Sequence, residues 1–266
     1  MFRYMAIGDV TSPRAAIALA AELWNIRRTH HIDFLAVNAE NAGFIVGPTP
    51  DVALRLLDSG ADVLTGGNHT LQSMALQGLL ERDTRVLRPA NYPDAAPGSG
   101  YAVLDGKGYR ILVMSLLGRV HMDPPLDSPF FTAERILSRE EGKYDLAFID
   151  FHAEATGEKT AFGAYMDGRV SAVYGTHTHV PTADTVVLPE GTGYVSDIGM
   201  CGADGGILGV DRKTVLDRYL SGIPTRFSAA DGSFYADAVV FSVDESCGRT
   251  LSVERLRLPL PTPSAK

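Results

Sequence analysis

The chain has 266 residues, 45% of them hydrophobic and 21% charged, with a formal net charge of −8 and no basic tract. This composition can fill a core and excludes extensive disorder; the acidic balance argues against long nucleic acid as a routine partner, while leaving room for one nucleotide in a pocket made positive by metal. Two cysteines are too few for a disulfide framework and no apolar run nears the roughly 18 residues of a membrane span, so we expect free thiols, no membrane partner and a cytoplasmic setting.

"YMAIGDV" (4–10) reads as a first strand ending in Gly-Asp, and "PRAAIALAAELWNIRRTH" (13–30) as a helix with basic residues in its last turn. "DFLAVNAEN" (33–41) is a second strand. "TPDVALRLLDSG" (49–60) is a helix capped by Thr49, opened by Pro50 and closed by Gly60. "ADVLTGGNHT" (61–70) is a third strand with another helix after it, and this alternation predicts right-handed crossovers and a largely parallel sheet. The Pro/Gly-rich stretch 88–100 is loop, 101–118 a hairpin through "DGKG", and 121–129 a second loop. "YDLAFIDFHAEAT" (144–156) and "RVSAVYGTHTH" (169–179) are strands ending in polar residues. Short strands and turns follow, with one helix near 211–221 and a Pro-rich tail. No repeat or shift in composition divides the chain, so a single domain over 1–266 is expected.

Ligands of parallel sheets bind beyond the carboxyl ends of the strands. These runs place there Asp9; Asn38, Glu40 and Asn41; Asn68 and His69; His152 and Glu154; and His177 and His179, all at the same end of one sheet. Singly each has an ordinary reading: Asp9 as a helix cap, Asn68-His69 as turn chemistry, His152 as a buried, satisfied histidine. The H-x-H pair is sharper, because residues two apart in a strand point to one side. Imidazole, carboxylate and amide oxygen without thiolate suit Mn, Fe or Zn, and the set is too large for one ion and about right for two. Two ions with a bridging carboxylate fit hydrolysis at phosphorus.

"GDV", "NAEN", "GNHT", "DFHAEAT" and "GTHTH", in that order, resemble the calcineurin-like metallophosphoesterases. With "RPANYP", "LLGRV", "GTHTHVPTAD" and "TGYVSDIGM", the chain is similar over most of residues 5–210 to the YmdB-like bacterial phosphodiesterases. The resemblance implies an α/β fold, a two-layer β-sandwich core flanked by helices (αββα), with a dinuclear site. It would place one ion on Asp9, Glu40 and His179, and the other on Glu40, Asn68, His152 and His177, with Glu40 bridging. It gives His69 the role of protonating the leaving oxygen or steadying the transition state, and Asn41 that of hydrogen-bonding the phosphate or the attacking hydroxide. It also implies a homo-oligomer.

The chain departs from the wider pattern at Thr11, where a histidine ligand is usual, which weakens the expected hold on the first ion. It departs from the closer one at "GDVTSPRAA", at Leu71 and Gln72, and at "GMCGADGG" (199–206). These changes flank the pocket and bear on substrate preference. Rival metallohydrolase patterns fit worse. Amidohydrolase barrels carry H-x-H on their first strand, and metallo-β-lactamase folds need an Asp where this chain has Pro181. The expected function is hydrolysis of small phosphodiesters, 2′,3′- or 3′,5′-cyclic nucleotides, by a water activated between two divalent ions. The alternative is a regulatory nucleotide- or partner-binding protein that keeps the site with little turnover. Arg119 could position a phosphate or form a structural ion pair. Glu154 could orient a histidine or, the preferred reading, charge the N-terminus of the following helix.

Overall fold

The computed structural model describes residues 1–263, so the last residues of the expected tail, 264–266, lie outside the described residues. Strand β1 (Phe2–Ile7) sends Phe2, Tyr4 and Ala6 into one core and Met5 and Ile7 into another, all of them buried. A strand buried on both faces belongs to a layered fold. β1 lies in a sheet with β2 (Asp9–Val10), β3 (Phe34–Asn38), β4 (Val63–Thr65), β11 (Met200–Ala203), β12 (Phe234–Asp244) and β13 (Arg249–Leu260). Its order is β2-β11-β12-β1-β3-β4, with β13 also paired to β12. The second sheet runs β5 (Tyr101–Gly106), β6 (Tyr109–Leu117), β7 (Leu146–His152), β8 (Ala172–Thr176), β10 (Gly193–Val195), β9 (Val186–Val187).

Between the sheets, Tyr4 stacks on Phe148 with ring centroids 3.7 Å apart and its hydroxyl meets that of Tyr174 at 3.0 Å. Fully burying one such ring contributes roughly 1.5–3 kcal/mol. On the outer face of the first sheet, Ala15 and Leu19 of α1 (Pro13–Ala20) and Ala53 and Leu56 of α3 (Pro50–Asp58) share a core with Met5 and Val37. On the outer face of the second, Ile136 of α5 (Pro129–Arg139) and Phe162 of α6 (Thr156–Met166) pack with Ile149 and Phe151. The result is helix, sheet, sheet, helix, the expected α/β architecture.

Several expectations need correction. The ligand-bearing runs do not end at one sheet; β3 and β4 belong to the first sheet and β7 and β8 to the second, and their carboxyl ends meet. The strands of the first third do run parallel, β3 beside β1 and β4, but each sheet as a whole is mixed, because β12 runs antiparallel to β1 and β5 antiparallel to β6. The helix expected at 13–30 is two, α1 and α2 (Leu23–Thr29), separated by a tightened turn in which Glu22 N–H donates to Leu19 O at 2.9 Å. The third strand is only Val63–Thr65, and it leads into two 3₁₀ turns and the short α4 (Gln77–Leu80). α5 went unrecognised in the sequence; of the short strands expected after residue 179, β9, β10 and β11 are short, but the chain ends in the long β12–β13 hairpin, which takes in Leu258–Leu260 of the supposed tail. The loop at 88–100, the hairpin turned at Lys107-Gly108 and the helix near 211–221, α7 (Arg212–Ser221), stand as expected.

Candidate metal centre

Asp9 opens β2, which pairs with β11. Glu40 and Asn41 follow β3, Asn68 and His69 follow β4, His152 closes β7, and His177 and His179 follow β8. The sheet ends are tied together by Asp150, buried on β7. Its carboxylate accepts from Asn38 Nδ2 (2.9 Å), from Thr65 Oγ1, and from Thr176 Oγ1 (2.7 Å). Burial pushes Asp150 up to about 7 in spite of these donors.

Four donor atoms converge. His152 Nε2 lies 3.1 Å from Asn68 Oδ1, 3.1 Å from His177 Nδ1 and 3.5 Å from Glu40 Oε1. Ligands about 2.1 Å from one cation sit roughly 3.0–3.4 Å from each other. The protons are arranged to leave lone pairs inside this cage. The Thr176 hydroxyl gives its only proton to Asp150, so it accepts from His152 Nδ1–H at 2.9 Å, leaving Nε2 bare. His177 Nε2 meets Glu154 Oε2 at 3.1 Å, leaving Nδ1 for the cage. Glu154 therefore orients a histidine; the first-turn acid of α6 is Glu158. Space is cut to fit as well, since a Cβ on Gly67 would stand 2.5 Å from His152 Nε2.

Beside the cage lie Asp9 and His179, with Oδ1 4.0 Å from Nε2. Asp9 Oδ2 accepts from His177 N–H at 3.1 Å, while the buried Oδ1 has no hydrogen-bond partner among the described residues. His179 Nδ1–H donates to Leu208 O at 3.1 Å, so Nε2 carries the lone pair, which faces Asn41 Nδ2 at 3.4 Å. His177 thus faces the cage and His179 faces Asp9 beside it. The strand-alternation reading fails because β8 stops at Thr176, and both histidines sit in a loop with left-handed φ, 101° and 64°.

This donor set fits divalent cations. Burial lifts Asp9 to about 7, with Asp197 adding to it, and lifts Glu40 well above the carboxylate range, with Asp9 adding to it. Burial also lowers His152 strongly, takes His177 down to about 4 and lowers His179. Crowded carboxylates beside imidazoles kept neutral, with one carboxylate oxygen orphaned, are what a cation relieves.

His69 and Asn41 border this cluster. His69 Nδ1–H donates to Asn41 Oδ1 at 2.7 Å, His69 N–H to Glu40 Oε2 at 3.0 Å, and Asn41 Nδ2 to Glu40 Oε1. Burial, then the nearby His179, lowers His69. Arg119 fits neither sequence reading: among the described residues it forms no ion pair and stays outside the cavity wall, offering only its backbone N–H to Glu158. Besides Asp150 and Thr176, sequence reasoning missed Lys159 and Asp197. Lys159 Nζ, buried on α6, donates to Thr176 O and Asp197 Oδ2, both at 2.8 Å, and Asp197 Oδ2 receives Thr178 N–H and Oγ1–H at 3.0 and 2.8 Å. The pair props the His177–His179 loop. An acid inside the apolar run "LAFIDFH" was the available signal for Asp150; nothing marked Lys159.

A family profile described as YmdB-like protein matches residues 5–256. The chain is 39% identical, over 96% of both chains, to a protein of Bacillus subtilis named 2′,3′-cyclic-nucleotide 2′-phosphodiesterase. A crystal structure of a novel phosphatase from Mycoplasma pneumoniae superposes with a TM-score of 0.89 at 27% identity, covering 98% of this chain and 95% of that one. The calcineurin-like phosphoesterase YfkN from Bacillus subtilis shares the fold, with a TM-score of 0.58 at 10% identity over 97% of this chain and 90% of its own.

Proposed function

Given that the chain belongs to the family of YmdB-like proteins, we propose that it is a metal-dependent phosphodiesterase that opens small cyclic phosphodiesters, with a nucleoside 2′,3′-cyclic phosphate as substrate. Glu40, Asn68, His152 and His177 would hold one divalent cation, and Asp9, Glu40 and His179 the other. When bound, such cations neutralise phosphate charge and bring the pKa of water toward neutrality; Fe, Mn and Zn all suit nitrogen and oxygen donors.

The chain's own residues position the ester and move the proton. Asn41 Nδ2 gives one hydrogen to Glu40 Oε1 and faces His179 Nε2 at 3.4 Å; with a cation on that nitrogen, the second hydrogen would turn to a phosphate oxygen. With Nδ1–H fixed on Asn41, the proton that comes and goes on His69 is the one on Nε2. As hydroxide adds to phosphorus and one P–O(ribose) bond breaks, His69 Nε2–H passes to the departing ribose oxygen. The acidic net charge of −8 favours a small ester over a polynucleotide.

The observation that carries this reading is the four-atom cage, in which each donor atom turns a lone pair inward. Incubating the purified protein with adenosine 2′,3′-cyclic phosphate, before and after EDTA and again with added Mn²⁺, tests it. We expect ring opening to a monophosphate that stops with the chelator and returns with the metal. Turnover indifferent to EDTA, or none with Fe, Mn or Zn, contradicts it.

A further inference from the structure

The cavity over the centre, about 340 Å³, is large enough for a small organic ligand. Beside the polar site residues its wall includes Phe44, Ile45 and Leu208, which reach it from two tight turns. In the first, Gly43 N–H donates to Val46 O at 3.0 Å across Phe44 (φ 67°) and Ile45 (φ 56°). In the second, Ile207 and Val210 exchange both backbone bonds, at 2.8 and 3.0 Å, across Leu208 (φ 52°) and Gly209 (φ 84°). Left-handed φ at both central positions is type I′ geometry, which favours Asn, Asp and Gly. Three of these four positions carry bulky apolar residues instead.

Turn chemistry does not account for the three, nor does core packing for Ile45, 38% exposed, or Leu208, 47% exposed, while Phe44 is half-buried. What they share is the cavity. Bonds to site residues hold both turns in place: Phe44 N–H donates to Asn41 O (2.8 Å), Gly47 N–H to His69 O (3.0 Å), and Leu208 O accepts from His179. Gly209 lies so close to Thr11 that a Cβ there would stand 2.6 Å from Thr11 Cβ. Strained backbone that its surroundings over-determine, at the mouth of a polar site, points to ligand recognition.

We propose that Phe44, Ile45 and Leu208 form the seat for the nucleobase of the substrate and determine its specificity. A flat base with a π-face suits an aromatic side chain beside two aliphatic ones, while the phosphate takes the polar floor. The inference rests on the function proposed above and names which part of the ester is read.

The test uses the metal-loaded protein and substrates with and without a base. Calorimetry compares adenosine 3′-monophosphate with glycerol phosphate, and kinetics compare adenosine 2′,3′-cyclic phosphate with glycerol 1,2-cyclic phosphate, which has the same five-membered diester ring. In Phe44→Ala, and in Leu208→Asn, whose new side chain tolerates the left-handed turn, the preference for the nucleoside ligand falls about tenfold in both ratios. The kinetic loss resides in KM, and Phe44→Tyr retains the preference. An unchanged ratio, with both ligands weakened alike or neither, overturns the seat. If wild type turns over neither diester, the proposed function fails and the binding ratio alone decides the seat.

Discussion

His152 can serve as a ligand only while the lone pair on Nε2 points inward, and the proton that decides this lies on the far nitrogen. Thr176, polarised by Asp150, fixes it there. Thr176→Val should therefore weaken divalent-ion affinity about 10- to 100-fold, read by metal titration, while the chain stays folded; unchanged affinity would mean the hydroxyl does not hold the ring. His69 is predicted to act on the proton and not on the ions. His69→Ala should cut kcat for a cyclic nucleotide by roughly 10²–10⁴ with metal content intact, whereas loss of metal along with activity would make it a ligand. The histidines and acids of the centre were legible because each ends an apolar run. Their orienting partners were not, because a threonine inside "AVYGT" looks like ordinary strand composition, and only folding brings it against His152. Glu154 was ambiguous for the same reason: its partner His177 lies in another loop.

The loop after β8 carries two ligand candidates in left-handed backbone, so something must hold it. That support is the Lys159–Asp197 pair from α6 and the stretch before β11. Lys159→Met would leave Asp197 buried without its cation and should cost about 3–5 kcal/mol in denaturant unfolding; adding Asp197→Asn to it should recover part of the loss. The turn at Phe44-Ile45 predicts the opposite sign. Ile45→Asn removes a left-handed β-branched residue and should stabilise by roughly 1 kcal/mol, visible as a rise of about 2 °C in Tm; a fall would show that Ile45 contributes more packing than strain. Among the elements, α3 was legible from Thr49 and Pro50, which cap and open it as read. α5 was not, because its exposed Phe131 and buried Thr132 invert the apolar stripe. β13 interleaves Arg and Glu along an edge strand, which blurs its length.

At the scale of the molecule, two sheets bring their carboxyl ends together and gather buried carboxylates at the floor of the cavity. The rule that ligands bind beyond strand ends picked out residues that the fold brings together, yet it suggested one sheet, because alternating strands and helices look alike whether they build one layer or two. Only the resemblance to known phosphoesterases implied the double layer. Burial raises Asp9, Glu40 and Asp150 together, so the bare centre opposes the fold and cations should relieve it. Stripping metal should lower Tm, and Mn²⁺ at a hundred times its Kd should return about 2.7 kcal/mol. Glu40→Gln, which removes the proposed bridging charge, should lose most of that response; a full response in the variant would place the ion elsewhere.

Anomalous diffraction from crystals soaked in Mn²⁺ examines the centre itself. Two peaks are expected, one among Glu40, Asn68, His152 and His177 and one between Asp9 and His179, with Glu40 reaching both. Density that leaves these side chains bare, or that binds only elsewhere on the surface, would contradict the dinuclear site and the hydrolysis built on it.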